Sequence, residues 1–142
     1  MRSLGFLLWI ALVLSGCQTA EDGSAFTPAP IASGPVASAI AGDLSSRLAE
    51  QVPPAATTLR LKSDQSEFAI ALEAALKGWG YSVITDPTTK ADKAVELDYS
   101  IQGADGQLMA QVSTPSIALG RVYLASATGA TPTSPLSILH RN

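Results

Sequence analysis

The apolar positions of this chain recur with different periods along its length, and each period predicts a different element. Leu4 to Leu14 is an unbroken uncharged run behind Met1 and Arg2. As a helix it would rise only about 16 Å, against a hydrocarbon core of ~30 Å, so it reads as an export signal and not a span. Residues 18–34 lose all periodicity and contain Pro28 and Pro30. They predict a flexible tether with a reach of roughly 20–25 Å. From Pro35 the period becomes helical: Val36, Ile40, Leu44 and Leu48 recur every fourth residue, while Asp43, Ser46, Arg47 and Glu50 fall mostly off the stripe. A helix over 35–51 follows, ended by Pro53 and Pro54. Its narrow, Ala-bordered stripe suits packing on one surface, its own domain in the first instance and a partner as the alternative.

The next stretch alternates. Thr57 to Lys62 predicts a strand, with Leu59 and Leu61 on one face. Asp64 and Glu67 resemble a capping box, with Ser63 as a competing cap, and the helix over 65–77 lines up Phe68, Leu72, Leu76 and Trp79. Glu73 and Lys77 stand in the favourable i, i+4 order, and Gly78 and Gly80 supply a left-handed stop. Tyr81 to Thr85 predicts a second strand and 86–93 a loop. Val95 to Ile101 alternates most cleanly, Gly103-Ala104-Asp105-Gly106 turns it into Gln107–Ser113, and Thr114-Pro115 marks a bulge or edge break before Ser116–Ser126. Residues 128–142, rich in Gly, Thr, Pro and Ser, read as a flexible tail with an apolar patch at Leu136–Leu139. The order predicts an α+β fold: a small, mostly antiparallel sheet of roughly three to five strands with one packed helix, preceded by signal peptide, tether and N-terminal helix. The domain runs over 35–127 and includes the helix over 35–51.

Composition narrows the function by exclusion. The formal net charge is −3, and becomes −4 once Arg2, the one charge in residues 1–16, leaves with the signal. There is no basic run beside aromatics, so direct nucleic-acid binding is not expected. The one histidine, His140, stands two residues from the carboxyl end and offers no convergent metal site or catalytic dyad. Glu96 and Asp98 alternate onto the polar face of a strand. Gly78-Trp79-Gly80 ends a helix, whereas a phosphate loop opens one. Trp79 and Tyr81 read as core and rim aromatics. No serine sits in a nucleophile elbow. No catalytic residue, metal or cofactor is therefore expected.

The only cysteine closes the signal, and the ending Leu14-Ser15-Gly16-Cys17 resembles the lipobox of bacterial lipoproteins. That resemblance implies diacylglyceryl transfer to the Cys17 thiol, cleavage before it, and acylation of the new N-terminus, a covalent lipid anchor on a membrane. A lone thiol has no disulfide partner in the chain, which favours this use of it. Gln18 in place of Asp implies the outer membrane. Several further stretches resemble the TrbH conjugal-transfer lipoproteins. In the first helix these are Ala39-Ile40-Ala41-Gly42-Asp43 and Arg47-Leu48-Ala49-Glu50-Gln51. Further on they are Ala71 through Tyr81, Ser113-Thr114-Pro115, Gly129-Ala130-Thr131-Pro132 and Ser134-Pro135-Leu136-Ser137. The resemblance implies a structural subunit of a plasmid mating-pair-formation (type IV secretion) apparatus, contacting its other subunits and without enzymatic role. A periplasmic ligand-binding lipoprotein and a surface-exclusion lipoprotein are the alternatives.

Overall fold

A computed structural model describes Ala32 and residues 34–142; the predicted export signal, Cys17 and most of the predicted tether lie outside the described residues. The chain forms α1 (Gly34–Gln51), a 3₁₀ turn (Pro54–Ala56), β1 (Thr58–Leu61), α2 (Glu67–Gly78), β2 (Ser82–Ile84) and β3 (Val95–Ala104). It continues through β4 (Gln107–Ser113), β5 (Ile117–Ser126), β6 (Gly129–Pro132) and β7 (Ser137–His140). The seven strands make one sheet in the order β2-β1-β3-β4-β5-β6, with β7 also on β5. β1 runs parallel to β2 and β3, and every other pairing is antiparallel. The predicted α+β class therefore stands, with α1 packed on its own domain and seven strands where fewer were expected.

The helical period explains why α1 belongs to the domain. It buries Ala37, Ile40, Ala41, Leu44, Ser45 and Leu48, a face wider than the four-residue stripe alone. Small residues at 37, 41 and 45 let it lie close to α2 and across β4, β5 and β6. α2 contributes Phe68, Ala69, Leu72 and Leu76, and the sheet answers with Leu59, Leu61, Leu97, Val112, Leu119 and Tyr123. Burying side chains of this size contributes roughly 1.5–3 kcal/mol each.

Local chemistry differs from the prediction at four places. The cap of α2 is Ser66, whose hydroxyl accepts from the Ala69 amide at 3.1 Å. Glu67 instead accepts from the Gly34 amide at 2.8 Å, so one carboxylate caps the neighbouring helix. At the far end only Gly80 is left-handed, with φ +100°, while Trp79 caps the helix and is 51 % exposed, outside the core that its spacing suggested. Thr114-Pro115 does not interrupt a single strand. It turns the chain, and Ser113 and Ala118 face each other across the resulting β4–β5 hairpin. There the Thr114 hydroxyl accepts from the amides of Ser116 (3.3 Å) and Ile117 (3.2 Å), which would otherwise lack partners in so tight a loop. Asp105 (φ 52°) and Gly106 (φ 76°) make the β3–β4 turn, as the sequence indicates.

The fourth difference is the C-terminal segment. Residues 128–142, expected as a flexible tail, run the length of β5: β6 pairs with 123–126 and β7 with 117–120. Between them the Thr133 amide donates to the Val122 carbonyl, the Val122 amide donates to Ser134 Oγ, and beyond β7 the Arg141 amide donates to the Ser116 carbonyl. These short segments hold Pro132 and Pro135 and show no alternation of their own. Their order comes from the backbone edge that β5 presents.

Candidate functional site

The most densely bonded polar group links α1 to β5. Inward positions of β5 alternate as Ile117, Leu119, Arg121 and Tyr123, so an arginine falls on the face that α1 covers. Asp43, one side chain of α1, accepts from Arg121 Nη1 at 3.0 and 3.3 Å and from the Tyr123 hydroxyl at 2.7 Å. Arg121 Nε donates to the Ser134 carbonyl at 3.0 Å, which draws the C-terminal segment into the same group. Arg47, one helical turn on, approaches Asp43 at 3.8 Å and pairs with Glu50 at 3.0 Å. Burial, with the Asp43 bond next, pushes the Tyr123 hydroxyl well above the usual tyrosine range.

Two further groups do similar work. The Tyr99 hydroxyl donates to Asp64 Oδ1 at 2.6 Å, and the Ser66 amide donates to the same oxygen at 3.0 Å. Those bonds, Tyr99's first, hold the Asp64 carboxyl below its ordinary value. Phe68 lies beside Tyr99 with ring centroids 5.1 Å apart. The Tyr81 hydroxyl donates to the Val52 carbonyl at 2.6 Å, and burial pushes it up to about 12. A neutral phenol held between a helix end and a strand serves as a tie. It is poorly placed to accept or release a proton near neutral pH.

The residues singled out in the sequence are not brought together. Leu14, Ser15, Gly16 and Cys17 lie outside the described residues. His140 is exposed in β7, opposite Ile117. Glu96 pairs with Arg60 at 3.1 Å, and Asp98 is an exposed neighbour two residues on. Trp79 and Tyr81 point to different fates, one exposed and one buried. Among the described residues no group of three His, Cys, Asp or Glu is placed to hold a metal. Sequence reading missed the Asp43–Arg121–Tyr123 group because its members stand 78 and 80 residues apart. The available signal was an arginine in phase with Leu119 and Tyr123.

One surface lies open. Both helices cover the same side of the sheet, and on the other side Met109 (48 % exposed), Leu124 (50 %) and Leu139 (57 %) are outward. Met109 sits opposite Val122, and Gln107 opposite Leu124, beside a shallow depression of about 310 Å³ lined by Gln102, Gly103, Ala104, Gln107, Met109 and Val122. No described helix is long and apolar enough to cross a membrane.

These features define a small α+β domain whose internal polar side chains tie helices to strands and whose open surface is a sheet face. The family described as "Conjugal transfer protein TrbH" matches residues 19–142, and the chain belongs to it. It is 58 % identical over 149 residues to "Probable conjugal transfer protein TrbH" of Sinorhizobium fredii (strain NBRC 101917 / NGR234), with 100 % of each chain covered. No solved structure matches it. The chain is thus a conjugal-transfer protein.

Proposed function

We propose that this protein is a lipoprotein of the outer membrane, a structural or assembly subunit of the mating-pair-formation (type IV secretion) apparatus that performs no catalysis. The observation that carries the reading is Leu14-Ser15-Gly16-Cys17 at the end of the apolar N-terminal run. The family match begins at residue 19, so the anchor rests on these four residues themselves. Acyl chains bury about 0.8 kcal/mol per CH₂, and two or more hold a protein on a bilayer. The tether then sets how far the domain stands from the membrane. Support for an assembly role comes from the domain, whose buried polar groups act as ties, and from the two edges of its sheet, β2 and β6/β7. Either edge offers backbone groups for strand addition by a neighbouring subunit.

Two measurements test this. Cys17→Ser is expected to leave the circular-dichroism signal intact and move the protein from the membrane to the soluble fraction. A variant that stays on the membrane sinks the anchor. Deleting the gene from donor cells is expected to lower plasmid transfer sharply, with rescue by a copy in trans. Unchanged transfer would replace the assembly role with surface exclusion or ligand binding.

A further inference from the structure

We infer that the open face of the sheet is a self-association surface, on which a second copy of this chain packs face to face. Four observations converge on that occupant. The outward positions from Ser100 on β3 to Leu139 on β7 carry no charge; the charged groups of this side, Glu96 and Asp98 at the start of β3 and Arg141 just past β7, stand together at its border. In a chain with a net charge of −3, this is the surface where two copies meet without like-charge repulsion. The same lack of charge gives an oppositely charged partner, or a phosphate-rich surface, nothing to recognise.

The relief is self-complementary as well. Leu124 projects beside the depression lined by Ala104 and Gln107, because Leu124 pairs with Gln107. A two-fold axis passing between knob and hollow seats each Leu124 in the hollow of the other copy, as an isologous interface requires. Gly120, opposite Gln111 and Ser137, leaves the centre of the face flat. Nothing among the described residues covers it.

Size sets the strength. Four strands at ~4.8 Å spacing and about seven residues at ~3.3 Å each give roughly 450 Å² per copy, or about 900 Å² for the pair. That is below the ~1,200–2,000 Å² of stable specific interfaces and in the range of transient ones, so the dimer is weak in dilute solution and is favoured wherever copies are held at high local concentration.

Site-directed cross-linking of the full chain in its host tests the inference without reference to plasmid transfer. Gln111→Cys puts a thiol at the centre of the face, and a short bis-maleimide links it to its symmetry mate. The unaltered chain, whose one cysteine is Cys17, sets the background, and Ile70→Cys on the exposed side of α2 is the control. The expected result is a dimer band for Gln111→Cys well above both. Adding Met109→Glu, or independently Leu124→Lys on another strand, should cut that band about tenfold through like-charge apposition. Circular dichroism confirms that each variant is folded, and two half-exposed sites on different strands guard against a folding artefact. The inference is overturned if Gln111→Cys gives no more dimer than the background, as when the chain's own N-terminal residues cover the face. It is equally overturned if Ile70→Cys gives as much, or if the adduct joins a different protein.

Discussion

Asp43 holds Arg121 and Tyr123 at once, with Arg47 nearby, and it is the residue on which α1 is most exposed to damage. Truncating one member of such a group leaves the others desolvated and unpaired. Asp43→Ala should therefore cost about 2–4 kcal/mol, read as a lower urea midpoint at unchanged slope. Replacing the pair together, as Asp43→Leu with Arg121→Met, should recover the share due to the stranded guanidinium, while the share due to the Tyr123 hydroxyl, still without its acceptor, remains. If the double variant is as unstable as the single one, the group is not acting as a pair. The tyrosines give a second test at this scale. Burial leads the upward shift of Tyr81, Tyr99 and Tyr123, Tyr81 to about 12. Unfolded tyrosine ionises at ~10, so above that pH the folded chain keeps protons that the unfolded chain gives up. Stability is thus fully present below pH ~10 and is lost as pH rises towards about 12. Native protein at pH ~10 should show little phenolate absorbance, and phenolate should appear in the same step as unfolding. Half-ionisation at pH ~10 with the fold intact would contradict the buried placement.

Elements were legible where their pattern was self-contained. β3 reads off its alternation and its Asp105-Gly106 turn. α2 reads off Phe68, Leu72 and Leu76, and α1 off Ile40, Leu44 and Leu48, since each stripe reports a buried face directly. Caps and turns were less legible, because several candidate side chains compete for one backbone amide. Ser63, Asp64 and Ser66 all precede α2, and only the structure shows Asp64 engaged by Tyr99 and Ser66 left to cap. The β4–β5 hairpin is the sharpest case: a proline after an apolar strand signals an edge break as readily as a turn, and the deciding group is the Thr114 hydroxyl. Thr114→Val keeps the shape and removes the acceptor, leaving the Ser116 and Ile117 amides without it. We expect a loss of about 1–3 kcal/mol in chemical denaturation. An unchanged midpoint would mean that proline and packing set the turn without the hydroxyl.

For the whole molecule, the C-terminal segment decides whether β5 is an interior or an edge strand. β6 and β7 belong to no local pattern, and β7 is exposed at every residue, so neither hydropathy nor alternation reports them. Their warrant lies a few residues upstream in a long strand whose inner face carries Leu119, Arg121 and Tyr123. Taking away residues 128–142 strips the backbone partners along one side of 117–126, the Ser134 carbonyl from Arg121, and the cover that Leu136 and Ala130 give the core. A domain with only about 5–15 kcal/mol of total stability cannot absorb that loss. A chain ending at residue 127 should therefore lose its cooperative thermal transition or fail to accumulate, whereas a truly flexible tail could be removed with little change in melting temperature. The same experiment bears on the open face, since Leu139 and Ser137 form one border of it. Shortening only to residue 136 would leave β6 paired and remove that border. If this cut, made in the Gln111→Cys chain, folds but no longer cross-links, the border of the dimer lies at β7. If it folds and still cross-links, the dimer is centred on Met109, Val122 and Leu124.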